Sequence, residues 1–259
     1  MIKAYKSQKG FSLIELAVVL IILGFVLGAL LLPLQAQRQQ LFQSQTENTL
    51  EIAKKSLLGF AQAKGRLPCP ATVASNGLEM PLGGAACTSQ LGYLPAATLG
   101  IQPTDANGFA LDAWGNRIMY AVAQNSTTAA PPNTATPDFT TNNATDGMNV
   151  IGMTTLTPEL RVCKSATGIT AAACSGGTES NYLINNAVVV MYSLGATGAQ
   201  AAGGADENAN PNVPTNPKSV FVSHEVTAVG AANGEFDHIV TWISPYVLYN
   251  AMIEAGQLH

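Results

Sequence analysis

The stretch that decides the fold is Lys9 to Leu34, KGFSLIELAVVLIILGFVLGALLLPL. Its last 19 residues, Leu16 to Leu34, hold no charged side chain. A helix of that length rises about 28 Å, which is close to the ~30 Å thickness of the hydrocarbon core of a bilayer. We therefore predict a transmembrane helix over residues 11–34.

Basic residues flank this stretch unevenly. Lys3, Lys6 and Lys9 precede it, and the next basic residue is Arg38. The positive-inside rule then places the N-terminus in the cytoplasm and the bulk of the chain on the other side. We expect a single-pass protein of the inner membrane with a periplasmic head.

One carboxylate, Glu15, lies near the start of the apolar stretch. An acid at membrane depth costs up to about 2.5–3.5 kcal/mol. A secretory signal peptide has a shorter apolar region of ~7–15 residues, and it avoids acids there. A plain signal anchor gives no reason for Glu15 at this position, so we expect the carboxylate to have a specific partner that offsets its cost.

The residues Lys9-Gly10-Phe11-Ser12-Leu13-Ile14-Glu15-Leu16 resemble the processing site of the type IV pilin and type II secretion pseudopilin superfamily. The resemblance implies a basic leader at residues 1–10. It also implies that a prepilin peptidase/methyltransferase cuts between Gly10 and Phe11 and then methylates the Phe11 nitrogen. The subunit would reside first in the inner membrane and then in a pilus or pseudopilus, which can reach the cell surface.

Cleavage would create an ammonium group at Phe11, at the edge of the apolar layer. A carboxylate in such a place is tolerated when it meets a cation. In a bundle of helices, Glu15 of one copy can meet the Phe11 amine of a neighbour, which would fix the register of stacking. The alternative is a local pair between Phe11 and Glu15 of the same chain. We expect the first arrangement, with Phe11 and Glu15 as the assembly residues.

The helical pattern continues after the membrane segment as an amphipathic helix over residues 35–64. Leu50, Ala53, Leu57 and Ala61 recur at steps of three and four residues, as expected for one apolar helix face. Lys64-Gly65 is a favourable end, because a cation suits the last carbonyl groups and glycine accepts the left-handed cap conformation.

The rest of the chain, residues 65–259, is typical of a head built from strands and loops. The predicted fold class is α+β and pilin-like, with the long N-terminal helix packed on an antiparallel sheet. The candidate strands alternate or run apolar over strand lengths: Arg117–Ala123, Ala187–Leu194, Val220–Val226 and Ile239–Ile243. Residues 124–147 and 196–218 are predicted to be long loops. Ser244-Pro245 predicts the start of a short C-terminal helix.

Four cysteines, Cys69, Cys87, Cys163 and Cys174, fall in the head. An exported chain favours disulfides, and four cysteines allow three pairings. We favour Cys69–Cys87 and Cys163–Cys174, because the partners are close in sequence and each bond would pin a loop rich in glycine and alanine. A zinc site at these cysteines is disfavoured, since there is no C-x-x-C pair and no nearby histidine.

Parts of the head also resemble the major pseudopilin group. Asp112-Ala113-Trp114-Gly115-Asn116 is similar to its D-x-W-G-N turn, and SLGATG at 193–198 followed by GGAD at 203–206 is similar to its calcium-binding loop. The resemblance implies a calcium site at Asp206, Glu207 and Asn208, with Asp112 or carbonyl groups near Leu194 as further ligands. Thr197 stands where the pattern often has an acid, and the loop is longer than in the pattern, so we favour a solvated loop over a calcium site. No other cofactor is expected.

Composition sets the limits on function. Only 11% of the residues are charged and the net charge is −4, which argues against a general nucleic-acid surface. His224 and His238, with Ser223, Glu225 and Asp237, could be grouped as a catalytic cluster, yet no G-x-S-x-G, H-E-x-x-H or P-loop motif is present.

We therefore expect a filament subunit and not an enzyme, of the minor pilin or pseudopilin kind. The resemblance implies as partners the prepilin peptidase, other pilin or pseudopilin subunits, and an inner-membrane assembly platform with its ATPase. The alternative is a membrane-anchored periplasmic binding protein or enzyme that does not polymerise.

Overall fold

The structure is a computed structural model that describes residues 10, 12–84, 86–123, 139–142, 147–153, 156–175, 179–198, 203–214 and 218–258, with the side chains of 29–36 excepted. The chain divides into two compact units, residues 1–42 and residues 43–259. Helix α1, Leu13–Lys64, contributes residues to both units.

In the N-terminal unit, the apolar side chains of α1 are exposed from its first residue. Leu13 is 88% exposed and Phe25 is 78% exposed. Within the part of the chain that the structure describes, no helix is long and apolar enough to cross a membrane. Most of the predicted leader 1–10, and Phe11, lie outside the described residues.

The second half of α1 belongs to the head. Leu50, Ala53, Leu57 and Ala61 are all buried, so the predicted apolar face is confirmed. The helix ends at Lys64. Gly65 then takes a positive φ of 68°, and its N–H donates to the carbonyl oxygen of Ala61 at 2.8 Å, which is the predicted glycine cap.

The main sheet of the head has four antiparallel strands in the order β1-β2-β5-β7. The strands are β1 Leu91–Tyr93, β2 Met119–Val122, β5 Val189–Ser193 and β7 Ile239–Ile243. Three of them lie within predicted strands, and β7 has the predicted bounds. Strand β1 was not predicted, because its three residues are too few to show an alternating or continuous apolar pattern.

A second sheet has the order β4-β3-β6, formed by β3 Leu160–Cys163, β4 Tyr182–Ala187 and β6 Val220–Val222. Strand β3 is antiparallel to β4 and parallel to β6. The expectation that Val220–Val226 joins a single antiparallel sheet was therefore wrong. The strand ends at Val222. The Ser223 N–H still donates to the Cys163 carbonyl, and the side chain of the next residue, His224, forms a hydrogen bond with Asp206.

The described head also has four short or terminal α-helices, α2 Ala96–Leu99, α3 Met148–Ile151, α4 Ala205–Asn208 and α5 Pro245–Glu254, and a 3-10 helix, Glu179–Asn181. Helix α4 lies inside the stretch 196–218 that was predicted to be loop throughout. Most of the other predicted loop, 124–147, is outside the described residues. Helix α5 begins as predicted, because the Ser244 hydroxyl accepts the N–H of Val247.

Both predicted disulfides are confirmed. Cys69 is bonded to Cys87 and Cys163 to Cys174. The second bond lies in a small core of its own around Phe236, separate from the large core that α1 shares with the main sheet. The first disulfide, Cys69–Cys87, lies in the large core, and the second, Cys163–Cys174, supports a part of the head that has few apolar side chains.

Candidate functional site

The N-terminal site begins with a cap on helix α1. The Glu15 carboxylate accepts the N–H of Ser12 at 3.3 Å, and the Ser12 hydroxyl accepts the N–H of Ile14 at 3.4 Å. Ser12 and Glu15 thus have the spacing of a capping box and the bond from the glutamate back to the cap N–H, whereas the Ser12 hydroxyl accepts from Ile14, one residue before Glu15. The sequence reasoning missed this role, although the Ser-x-x-Glu spacing signals it.

Around this cap, the apolar side chains lie on all sides of the helix. The exposed fraction of the large apolar residues from Leu13 to Leu27 runs from 49% to 88%. A helix that is apolar all round needs lipid or other protein as its surroundings. The described part of the N-terminal unit therefore has a surface suited to packing against lipid or other helices, with Glu15 as its acid.

In the head, the Asp112-Ala113-Trp114-Gly115-Asn116 turn is built on a buried carboxylate. Asp112 accepts the N–H groups of Trp114 and Asn116 at 3.0 and 2.8 Å, and the Ser193 hydroxyl at 2.6 Å. The Asn116 amide also donates to the Gly195 carbonyl at 2.7 Å. The turn is therefore tied to the end of β5, and Asp112 has a structural role.

The turn is also tied to α1. The N–H of Ala113 donates to the hydroxyl of Thr46 at 3.1 Å, and Thr46 is fully buried. This bond connects the long helix with the turn that is tied to the end of β5, where the calcium loop was predicted to start.

The three residues of the predicted calcium site do not converge. Asp206 accepts from the N–H of Ala166 and from His224 Nε2 at 3.0 Å. The Asn208 amide donates to the Gly203 carbonyl at 3.0 Å. Glu207 has contacts of its own, so the three side chains lie in separate hydrogen-bond networks, and calcium binding by Asp206, Glu207 and Asn208 stays a prediction.

Glu207 is instead paired with Asp237. Its Oε1 accepts the N–H of Asp237 at 3.1 Å and the hydroxyl of Thr197 at 3.3 Å. Burial raises the pKa of Glu207, and the negative charge of Asp237 raises it further. Sequence reasoning missed this pair, because Asp237 comes 30 residues after Glu207.

His238 lies beside this pair. Its Nδ1 is 3.4 Å from the amide nitrogen of Asn210, and burial lowers the pKa of His238 to about 4, against the opposing charge of Asp237. One potential ligand atom from each of Glu207, Asp237 and His238 lies within 4.8 Å of the others. Glu207 and His238 also line a cavity of about 440 Å³.

The histidines are not arranged as one catalytic cluster. His224 binds Asp206 through Nε2 and the Glu225 carbonyl through Nδ1 at 2.6 Å, whereas His238 contacts Asn210. The ring of Phe236 packs against both, with centroid distances of 4.1 Å to His224 and 5.5 Å to His238. The two imidazoles therefore serve different networks.

Comparison with known proteins identifies the N-terminal region. Residues 5–31 match the family model described as the prokaryotic N-terminal methylation motif. No curated protein and no solved structure matches the chain. The matched range includes Gly10, Phe11 and Glu15, at the beginning of the exposed apolar helix. The chain therefore carries the prepilin-type N-terminus of type IV pilins and pseudopilins.

Proposed function

We propose that the chain is a filament-forming subunit, a minor pilin or pseudopilin of a type IV pilus or type II secretion system. The observation that supports this most is the methylation motif over residues 5–31, whose acid and apolar helix suit assembly. Prepilin peptidase cuts between Gly10 and Phe11 in this proposal, and an inner-membrane platform with its ATPase extracts the mature subunit into the filament.

Exposed apolar surface supports the assembly step. The side chains from Leu13 to Leu27 have no cover within the described part of their own unit. Neighbouring helices of the same kind can replace lipid around them, so that leaving the bilayer does not expose them to water. Copies stacked head-to-tail form an open helical polymer and not a closed ring.

Glu15 gives this assembly its register. In the uncleaved chain its carboxylate bonds to the Ser12 N–H at 3.3 Å. Removal of the leader supplies an ammonium at Phe11, and an acid in an apolar layer is stabilised by such a cation. Glu15 of one subunit then meets the Phe11 amine of the next.

Mass spectrometry of the native protein tests the processing step. We expect a mature chain that starts at a methylated Phe11. A chain that still begins at Met1, or that begins after residue 34, would contradict the proposal.

A pair of substitutions tests the register. Glu15→Ala should abolish or strongly reduce filaments seen by electron microscopy, whereas Glu51→Gln should not. Glu51 is a matched control, because it is an exposed carboxylate on the same helix, 3.7 Å from Lys54. Normal filaments from the Glu15 variant would exclude the proposed pairing.

Crosslinking separates a filament subunit from a membrane-anchored protein that does not polymerise. Cysteines introduced at Ser12 in one copy and Leu16 in another should form a dimer only in cells that have prepilin peptidase. An absence of crosslinks in processed protein would favour the non-polymerising alternative.

A further inference from the structure

Among its described residues, the head contains two neighbouring acids that form no ion pair with a lysine or arginine. Glu207 is only 5% exposed and accepts the N–H of Asp237. In the described residues, no lysine or arginine forms an ion pair with either carboxylate. Thr197 gives Asp237 two neutral bonds, from its N–H at 2.8 Å and its hydroxyl at 2.9 Å. Two such acids call for a shared proton or a bound cation.

His238 supplies a second, independent observation. Its side chain lines the cavity beside Glu207, and the residue is only 7% exposed. Nδ1 lies near Asn210 at 3.4 Å, while Nε2 has no hydrogen-bond partner among the described residues. Nε2 is therefore left to a partner from outside the described residues, and its imidazole lines the same cavity as the Glu207 carboxylate.

The backbone leaves room for both acids. A Cβ atom at Gly203 would collide with Oε2 of Glu207, and one at Gly195 would collide with Oδ1 of Asp237. Oε2 of Glu207 also has no hydrogen bond in the described part of the chain. Two glycines therefore hold open the space in which the carboxylates sit.

We propose that Glu207, Asp237 and His238 bind a divalent transition-metal ion of the zinc class, with the remaining position open to the cavity. Their potential ligand atoms already lie within 4.8 Å of one another. Ligand atoms around tetrahedral zinc are about 3.4 Å apart, so side-chain shifts of about 1 Å complete the site. The imidazole selects zinc over calcium, because calcium takes oxygen ligands.

Such an ion would join two parts of the head. Glu207 belongs to α4, Ala205–Asn208, and Asp237 and His238 directly precede β7, Ile239–Ile243. Thr197 holds Asp237 from the segment that follows β5, as groups behind metal ligands commonly do. The metal thus cross-links the loops at one end of the main sheet.

The test uses the untagged full-length chain, stripped of metal with a chelator. Zinc affinity is measured by competition with a chromophoric chelator, and stoichiometry by elemental analysis. We expect one zinc per chain and a higher melting temperature with zinc, but no shift with calcium at the same concentration. Failure of the native chain to bind zinc would overturn the proposal.

Matched variants locate the site. His238→Gln and Glu207→Gln should weaken zinc binding on the order of 100-fold, as removal of a direct ligand does. His224→Gln and Asp206→Asn alter the neighbouring buried pair, whose atoms are 3.0 Å apart, and should leave the affinity within about threefold. An equal loss of zinc affinity in both pairs of variants would overturn the assignment of Glu207 and His238 as ligands.

Cobalt(II) provides a reading that does not depend on the folding of any variant. Bound to the native chain at the proposed site, it should give the strong visible absorption of four-coordinate cobalt, and zinc should displace it. A spectrum that shows nothing beyond the weak absorption of six-coordinate cobalt would overturn the proposed site.

Discussion

The two units of the chain treat their apolar side chains in opposite ways. In the N-terminal unit Leu20 is 60% exposed, whereas Leu57, farther along the same helix α1, is fully buried. The head covers its core with its own sheet, and the described part of the N-terminal unit leaves its apolar surface for other molecules. One continuous helix therefore serves two purposes, and substitutions in the two units should have separable effects.

The largest expected effect on the head comes from Arg66→Met. Arg66 makes two bonds of 2.8 Å to Glu79, and both residues are buried. The substitution leaves a buried carboxylate unpaired, which costs about 3–5 kcal/mol of unfolding free energy. The loss of unfolding free energy is measured by denaturant titration with tryptophan fluorescence as the signal, since Trp114 and Trp242 both lie in the head.

Arg38→Met is the control in the N-terminal unit. Arg38 is exposed, 5.3 Å from the ring centroid of Phe42, and its loss should change the same transition by less than about 0.5 kcal/mol. Equal effects from Arg38 and Arg66 would mean that the two units do not unfold separately.

Leucine truncation sharpens the comparison along one helix. Leu57→Ala should lower the unfolding free energy of the head by about 2–5 kcal/mol, because it opens a cavity in the core. Leu20→Ala should change the transition by less than about 0.5 kcal/mol, and should instead reduce the number of filaments. If Leu20→Ala destabilised the head, the effects of substitutions in the two units would not be separable.

The pH dependence of the head should report His238. Its pKa is about 4 when folded, against 6.5 in the unfolded chain, so unfolding takes up a proton between these values. In metal-free protein this contribution to stability is complete above pH 6.5 and is lost as the pH falls to about 4, by up to about 3 kcal/mol.

Glu207 acts in the opposite sense. Its pKa is raised by burial and by Asp237, so its stabilising contribution is lost as the pH rises through the folded pKa. The comparison of wild type with His238→Gln therefore isolates the histidine: between about pH 4 and pH 6.5 the unfolding free energy should rise less with pH in the variant than in the wild type, because the opposing contribution of Glu207 remains. An unchanged slope would contradict the assigned role of His238.

The smallest expected effect concerns the helix caps. Ser244→Ala removes the side chain that accepts the Val247 N–H at 3.4 Å, and should cost about 1 kcal/mol of head stability. Ser12→Ala removes the corresponding bond to Ile14 at the start of α1, and should leave the tryptophan transition unchanged. A shift caused by Ser12→Ala would show coupling between the units.

Local signals in the sequence predicted the long and the C-terminal helix, the strands β2, β5 and β7, and the position of β6. The three- and four-residue spacing of Leu50 to Ala61 predicted the buried face of α1, and Ser244-Pro245 predicted the start of α5. The second sheet was not predictable in this way. Strand β3 has only four residues and pairs in parallel with β6, which comes much later in the chain.

The prediction that Asp206 and Glu207 bind one metal ion together treated them as residues of a loop, whereas both lie on helix α4. Asp206 and Glu207 were expected to share one ion, but neighbouring residues on a helix point about 100° apart. Once α4 forms, Asp206 contacts His224 while Glu207 contacts Asp237. The aspartate that matters to Glu207 could not be chosen from spacing, because the pairing of β5 with β7 brings it there.

The bond between Ser12 and Glu15 has a consequence for the timing of subunit maturation. The bond joins atoms of residues 12 and 15, so removal of residues 1–10 leaves both of its partners in the chain. Cutting the peptide bond after Gly10 then changes the chemistry of the chain end without requiring the helix to form anew. In the proposed assembly, proteolysis adds the ammonium group that the Glu15 carboxylate of a neighbouring subunit can meet, and the helix cap stays as it was.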